Sequence, residues 1–307
     1  MTTLVDVGSH FPGARLPIEQ VGNKADLPDI KIFRRYFGLD TVHRAPGVET
    51  HRLHAEAAGS LPMLAGREHL VRYVVMARSI ATGAASTEEP PEELCRLLGL
   101  PNAVAFSVTQ HACAAGLLAV HLVGDLLEAD GDPEALGLVL AGERVATRAL
   151  EIVPRSTVLG EGTAAVLVGT GGERDRMLSY VTHTRGRFAD GIPPHAVEKD
   201  FFREHQVMLA ATIREAAAAA GTTLERLRLI LPHNVNTVVW KQLCEDHGLD
   251  RDQIFLENVP FSGHCFGADS FINHVTVRER GLLAPGDLYL MVGVGLGATY
   301  SAAVFRH

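Results

Sequence analysis

The chain has 307 residues, 36 of them acidic and 28 basic, for a formal charge of -8. That length accommodates two domains or one large duplicated one, and an acidic balance with no block of Lys or Arg argues against nucleic acid as a partner. The first residues, MTTLVDVGSHFPGARLP, lack the basic start and unbroken apolar run of a signal peptide, so a soluble cytoplasmic protein is expected, with Cys95, Cys113, Cys244 and Cys265 as reduced thiols.

In chain order, the run from Leu97 to Gly124 contains no Asp, Glu, Lys or Arg and exceeds the roughly 20 residues that span a bilayer. Pro101, Asn102, Gln110 and His111 interrupt it. It therefore reads as a buried strand over Val104 to Thr109, a turn, and a buried helix over Ala114 to Glu128, and no membrane association is expected. A second strand is predicted over Leu136 to Leu140. The apolar segment GEGTAAVLVG, ending at Gly169, closes a first half, and the charged, Gly-rich GTGGERDR follows it.

The second half begins with an Ala-rich helix around Met208 to Ala220. A strand over Leu227 to Asn234, a helix through Trp240 to His247 and a terminal pair of strands complete it. Strands alternating with helices predict a layered α/β fold with buried sheets. The halves are residues 1–170, carrying Cys113, and residues 171–307, carrying the His and Asp candidates, packed as one body. An echo between AAVLVG and SAAVF suggests duplication.

Cys113 falls where a short polar segment meets the apolar helix, in SVTQHACAAGLL. At a helix N-terminus a thiol sits in the positive end of the macrodipole, beside unpaired N–H groups that favour the thiolate and can hold an oxyanion. A buried cysteine acting as a small hydrophobe is the alternative. In the second half His233 lies in PHNVN after a strand, and His264 and Asp269 lie in FSGHCFGADSF before a helix. Thiol, imidazole and carboxylate supply a nucleophile, a base and an orienter. Asp269 as a helix cap and His264 as a hydrogen-bonded loop residue are the alternatives.

Four segments together resemble ketoacyl synthase III of the thiolase superfamily over nearly the whole chain. FGLDTVHRA is similar to that family's T-G-I-R-E-R segment, QHACAAG to its A-A-C-S-G elbow, GEGTAAVLV to its G-D-G-A-G-A strand and PHNVN to its H-Q-A-N. The resemblance implies a duplicated, five-layered α-β-α-β-α thiolase fold and a homodimer in which Cys113 takes an acyl group as a thioester. It also implies an oxyanion site between the backbone N–H groups of Cys113 and Leu296, the middle residue of Gly295-Leu296-Gly297.

Two departures redirect the chemistry. Where the family has asparagine the chain has His264, and Asp269 stands where the family has a small residue. Decarboxylative condensation needs neutral donors around the malonyl carbonyl to hold the enolate, whereas an imidazole oriented by a carboxylate is a general base. The pattern resembles the ketosynthase III-like acyltransferases of polyketide and related pathways. It implies an acyl group passing from an acyl carrier protein or coenzyme A thioester through Cys113 to a hydroxyl, an amine or a second carrier thiol. A condensing enzyme of the synthase III type and a non-catalytic partner subunit are the alternatives.

His264 with Asp269 is expected to serve as base and orienter, and His233 as a donor that favours the Cys113 thiolate; the reverse division stands beside it. The family's clamp for coenzyme A, a Trp and an Arg, is replaced by Ile32 and Tyr36. Lys31, Arg34, Arg35 and Arg44 are candidates to receive an acidic carrier protein, or a solvated helix face. Side chains of an acyl tunnel are expected from Arg185 to Glu204. The fifteen histidines, among them His51, His54, His183, His195 and His205, show no H-E-x-x-H or Cys-pair spacing, and no G-x-G-x-x-G or G-x-S-x-G is present. No metal and no cofactor are expected beyond the acyl thioester substrate.

Overall fold

A computed structural model describes residues 1–21, 27–79, 91–145, 147–188 and 198–307. The first half contains β1 (Thr3–His10), β2 (Ala14–Pro17), α1 (Leu27–Arg35), β3 (Thr41–Arg44), α2 (Thr50–Gly59), β4 (Val71–Ala77), α3 (Pro91–Leu98) and β5 (Val104–Val108). It continues through α4 (Ala115–Asp130), β6 (Leu136–Ala141), β7 (Ile152–Val153), β8 (Thr157–Val158) and β9 (Thr163–Gly169). The second contains β10 (Arg176–Thr184), α5 (Glu198–Ala219), β11 (Leu227–Leu231), α6 (Thr237–His247), α7 (Val259–Ser262), α8 (Asp269–Glu279), β12 (Leu288–Gly295) and β13 (Thr299–Arg306).

Nine strands form one sheet in the order β11-β12-β13-β10-β1-β9-β6-β4-β5. β10 and β1 meet at a single pair, Thr3 with Arg176, which divides it into two sheets of matching plan. In the first, β9 runs antiparallel to β1 and β6, and β6 runs parallel to β4. In the second, β13 runs antiparallel to β10 and β12, and β12 runs parallel to β11. AAVLVG and SAAVF lie in β9 and β13, at equivalent places, and the first sheet alone adds β5.

Every residue of β6 and β9 is buried, because both faces of this sheet are covered. Side chains alternate between the two faces: Leu136, Leu138 and Leu140 pack with Ala57 of α2 and Leu94 of α3, while Val139 and Ala141 join the central core. That core draws Val120 and Val123 from α4, Phe271 and Val275 from α8, and Leu231, Met291 and Ala303 from the second sheet. Leu209 and Ile213 of α5 and Trp240 and Leu243 of α6 cover the far face with Leu290, Val292 and Val304. The order is α-β-α-β-α, the duplicated thiolase architecture expected from the sequence. The segment Ala112–Asp130, which contains α4, is long and apolar enough to cross a membrane, yet its apolar surface is the filling between two sheets.

Several element boundaries differ from expectation, two of them near residues expected to act. Helix α5 begins at Glu198, earlier than the apolar pattern announces, because its first turns expose Phe202 and Arg203 and bury little besides Phe201. The strand predicted to Asn234 ends at Leu231, so Pro232, His233 and Asn234 leave the sheet and turn toward α8.

Candidate active site

Cys113 is the middle residue of a 3-10 turn, Ala112–Ala114, between β5 and α4, and it is half-buried. Two residues before it lie in the left-handed region, Gln110 at φ 65° and Ala112 at φ 46°, a conformation that costs a residue with a Cβ about 1–2 kcal/mol. The turn is held from outside by the second sheet. Gly293 and Gly295 of β12 press on it: a Cβ at Gly293 would stand 3.1 Å from Ala114 Cα, and one at Gly295 would overlap the His111 carbonyl. Leu296 follows in the β12–β13 turn and is 56% exposed, so the leucine body lies away from the core.

A second 3-10 turn, Phe266–Ala268, leads into α8, with Phe266 at φ 55°. The two turns are in contact, and a Cβ on Gly116 would lie 2.5 Å from the Gly267 carbonyl. Ahead of this turn, His264 is pinned to the first half by two backbone hydrogen bonds: its N–H donates to Val158 O at 3.0 Å, and Gly160 N–H donates to its carbonyl at 2.8 Å.

The His264 ring donates from Nδ1 to Asp269 Oδ2 at 2.5 Å. Asp269 also accepts from the backbone N–H of Asn234 at 2.6 Å and of Cys265 at 2.7 Å. All of these groups are buried. Asp269 thus does not cap α8. It is the first helical residue, Ala268 occupies the cap position without a side-chain bond, and the carboxylate turns back to the histidine. With Nδ1 engaged, Nε2 of His264 is the nitrogen left to serve Cys113, the neighbour that together with Asp269 raises the imidazole. Burial opposes a charge on His264, but the carboxylate of Asp269 and the neighbouring Cys113 outweigh it and push the imidazole up to about 10.

His233 lies beside this line, its ring centroid 6.4 Å from that of His264 and 5.4 Å from that of Trp240. It is 3% exposed, and its Nδ1 has no hydrogen-bond partner among the described residues. Burial, and then the charge of His264, hold it well below the ordinary histidine range. His233 is therefore a neutral ring. Of the two histidines, His264 is the one beside Cys113 and Asp269 that is raised, and His233 the one that is lowered.

Asn234 and Asn273 position the site and were not singled out from the sequence. Asn273 Nδ2 donates to Pro232 O at 2.8 Å and to Asn234 Oδ1 at 2.9 Å, and Asn258 Nδ2 donates to Asn273 Oδ1 at 3.0 Å. These bonds tie the segment carrying His233 to α8. The available signal was Asn273 one turn after Asp269, on the same helix face.

The other candidates fall elsewhere. Lys31, Arg34 and Arg35 are exposed on α1, with Arg34 paired to Glu19 and Asp40 and Arg35 over the Tyr36 ring. Arg44 does not join them. It is 6% exposed, its Nη1 donates to Leu159 O at 2.6 Å and His43 O at 3.1 Å, and the neighbouring charge of Glu161 partly offsets its desolvation. A guanidinium so enclosed cannot meet a carrier protein, and its place in the surface cluster is withdrawn. Cys265 is fully buried, donates to Ser262 O at 3.5 Å and is pushed well above the ordinary thiol range by burial. Residues 189–197 of the expected tunnel segment, His195 among them, lie outside the described residues.

Known proteins share this arrangement of strands and helices. The sequence profile of the C-terminal region of 3-oxoacyl-[acyl-carrier-protein] synthase III matches residues 217–307. A β-ketoacyl-[acyl-carrier-protein] synthase III of Acidiphilium cryptum is 26% identical, with 99% of each chain covered. One of Mycobacteroides abscessus is 22% identical over 99% of this chain and 94% of its own. Among solved structures, an acyltransferase, ChlB3, superimposes with a TM-score of 0.85 at 21% identity, over 99% of this chain and 97% of that one. The priming β-ketosynthase from the R1128 polyketide biosynthetic pathway does so with 0.79, also at 21% identity, over 100% and 96%.

Proposed function

We propose that the chain is a ketoacyl synthase III-like protein of the thiolase superfamily, and an acyltransferase that moves an acyl group from a carrier-protein or coenzyme A thioester, through Cys113, to a hydroxyl, an amine or a second carrier thiol. The observation that carries this reading is the group Cys113, His264 and Asp269, in which one imidazole is bonded through Nδ1 to a buried carboxylate and has Cys113 as its neighbour. Condensation calls for two neutral donors around an enolate. Here only His233 is neutral, and the position that would supply the second holds a charged histidine.

In the first step Cys113 attacks the donor carbonyl as the thiolate, with its proton on His264. The carbon–sulfur bond to the carrier breaks as the bond to Cys113 forms, and His264 hands the proton to the departing carrier thiol. The backbone N–H groups of Cys113 and Leu296 receive the oxyanion. Acylation removes the negative charge that helped hold the proton on His264, so the ring is left neutral and able to accept one. In the second step it takes the proton of the acceptor as that group attacks the thioester, and the thiolate–imidazolium pair is restored. Asp269 keeps the tautomer with Nδ1–H and stabilises the imidazolium, the orienter's part in a nucleophile–His–Asp triad. An acyl carrier protein is the donor that the relatives' names favour, and a homodimer is the assembly proposed for it.

Intact-mass spectrometry after incubation with acyl carrier proteins and acyl coenzyme A thioesters tests the reading. An adduct of acyl mass on the wild type, absent from Cys113→Ala, supports covalent transfer. Carbon dioxide released from a malonyl carrier in step with a ketoacyl product would replace transfer by condensation. No adduct from any donor would leave a non-catalytic subunit.

A further inference from the structure

Away from Cys113, three residues distant in sequence converge on one buried point. Asp175 lies in the turn between β9 and β10, His274 on α8, and His307 just beyond β13. They are 5%, 1% and 8% exposed. Asp175 Oδ1 stands 2.7 Å from His307 Nδ1 and 3.5 Å from His274 Nε2, and the three ligand-capable atoms lie within 4.8 Å of one another. The Tyr289 hydroxyl donates to the same carboxylate oxygen at 2.9 Å, and Arg174 Nε approaches the other oxygen at 3.7 Å.

His274 departs from an ordinary hydrogen-bonded network. Neither of its ring nitrogens has a hydrogen-bond partner among the described residues, although the side chain is 1% exposed. A buried imidazole normally engages at least one nitrogen, and here Nε2 stands 3.5 Å from the carboxylate, a close approach without hydrogen-bond geometry.

We infer that Asp175, His274 and His307 form a site for one divalent transition cation of the zinc class. Two imidazole nitrogens and one carboxylate oxygen suit a borderline cation such as Zn²⁺, Co²⁺ or Ni²⁺ better than Mg²⁺ or Ca²⁺, which favour oxygen. Tetrahedral zinc bonds of about 2.0–2.1 Å space neighbouring ligand atoms about 3.4 Å apart. The 2.7 and 3.5 Å separations bracket that value, so small side-chain shifts suffice. Both rings bind as neutral imidazoles, the His307 proton leaving Nδ1 for the other nitrogen, and water completes the fourth position. Tyr289 then acts as the outer-shell donor that orients the carboxylate. The site holds the end of β13, the β9–β10 turn and α8 together and touches none of the reacting groups. The sequence expectation of no metal rested on short local spacings, and these ligands come from three separate elements.

The test uses untagged full-length protein, stripped with chelator, exposed to a few equivalents of Zn²⁺ and gel-filtered before elemental analysis. One zinc per chain is expected, with a melting temperature raised by roughly 5 °C at hundredfold saturation. His274→Gln and His307→Gln should each abolish retention while circular dichroism stays that of the wild type. Co²⁺ on the wild type should give the intense visible bands of a four-coordinate site, a readout that needs no variant. Zinc lost on gel filtration together with weak six-coordinate Co²⁺ bands, or zinc retained equally by the wild type and both variants, would overturn the assignment.

Discussion

The turns before α4 and α8 are one backbone made twice with different side chains. Ala112 and Phe266 are both left-handed, at φ 46° and 55°, and the residues closing the turns, Ala114 at φ -89°, ψ -3° and Ala268 at φ -88°, ψ -18°, nearly coincide. In this register Cys113 matches Gly267. The first turn presents a sulfur to the outside of the helix N-terminus. The second leaves the equivalent place bare, so that the turns can touch, and sets Asp269 two residues later, bonded to His264. Each helix thereby has an acidic group at its positive end: one is the nucleophile, and the other holds the histidine that serves it. Duplication supplied two equivalent helix starts, and the division of labour came from which side chain each received.

The comparison breaks most completely if the acidic group of either turn is removed. Cys113→Ala should give no acyl adduct at all by intact mass. Asp269→Asn should keep the shape but lose the oriented imidazolium, lowering the acylation rate by about 10³–10⁴-fold in rapid-quench measurements. Next come the glycines between the turns. Gly116→Ala places a methyl 2.5 Å from the Gly267 carbonyl and 2.9 Å from the Phe271 ring, and should cost about 1–3 kcal/mol in denaturant unfolding. Gly267→Ala meets nothing nearer than 3.4 Å and should stay within about 0.5 kcal/mol. Equal costs for the two would contradict the contact described.

The two histidines should titrate stability in opposite directions. The pKa of His264 is raised from the ordinary 6.5 to about 10, so its contribution is complete below pH 6.5 and is lost as pH rises through about 10. His233 is held below 6.5, so its contribution is present above that value and is lost as pH falls below it. Urea unfolding across pH should show the alkaline slope flattened in Asp269→Asn and the acid slope flattened in His233→Gln. The smallest effect is expected at Leu296→Ala, where the exposed side chain goes and the amide stays; acylation should change by no more than about twofold.

Helix α4 and strands β6, β9 and β13 were legible because apolar runs without a polar face have only one place to go in a layered α/β fold. The candidate set Cys113, His264 and Asp269, with Asp269 as the orienter of His264, was legible from residue type and resemblance, but the backbone path that joins the pair was not. It depends on Phe266 taking a left-handed conformation, and phenylalanine carries no signal for one. Arg44 misled because charge suggests surface. The alternation in β3, with Val42 and Arg44 both turned inward, held the opposite information. Asn234 and Asn273 act through contacts between distant segments, which local pattern does not encode.

The two sheets share a single ladder pair, Thr3 with Arg176, while α4 and α8 bury side chains against both. The seam between strands is too narrow to hold the halves, and the central helices do it instead. Neither half released by itself could cover the faces it would bare, so the molecule should melt in one cooperative transition despite its internal repeat. A chain nicked between Gly171 and Gly172, at the loop joining the halves, would yield fragments that fold only in each other's presence.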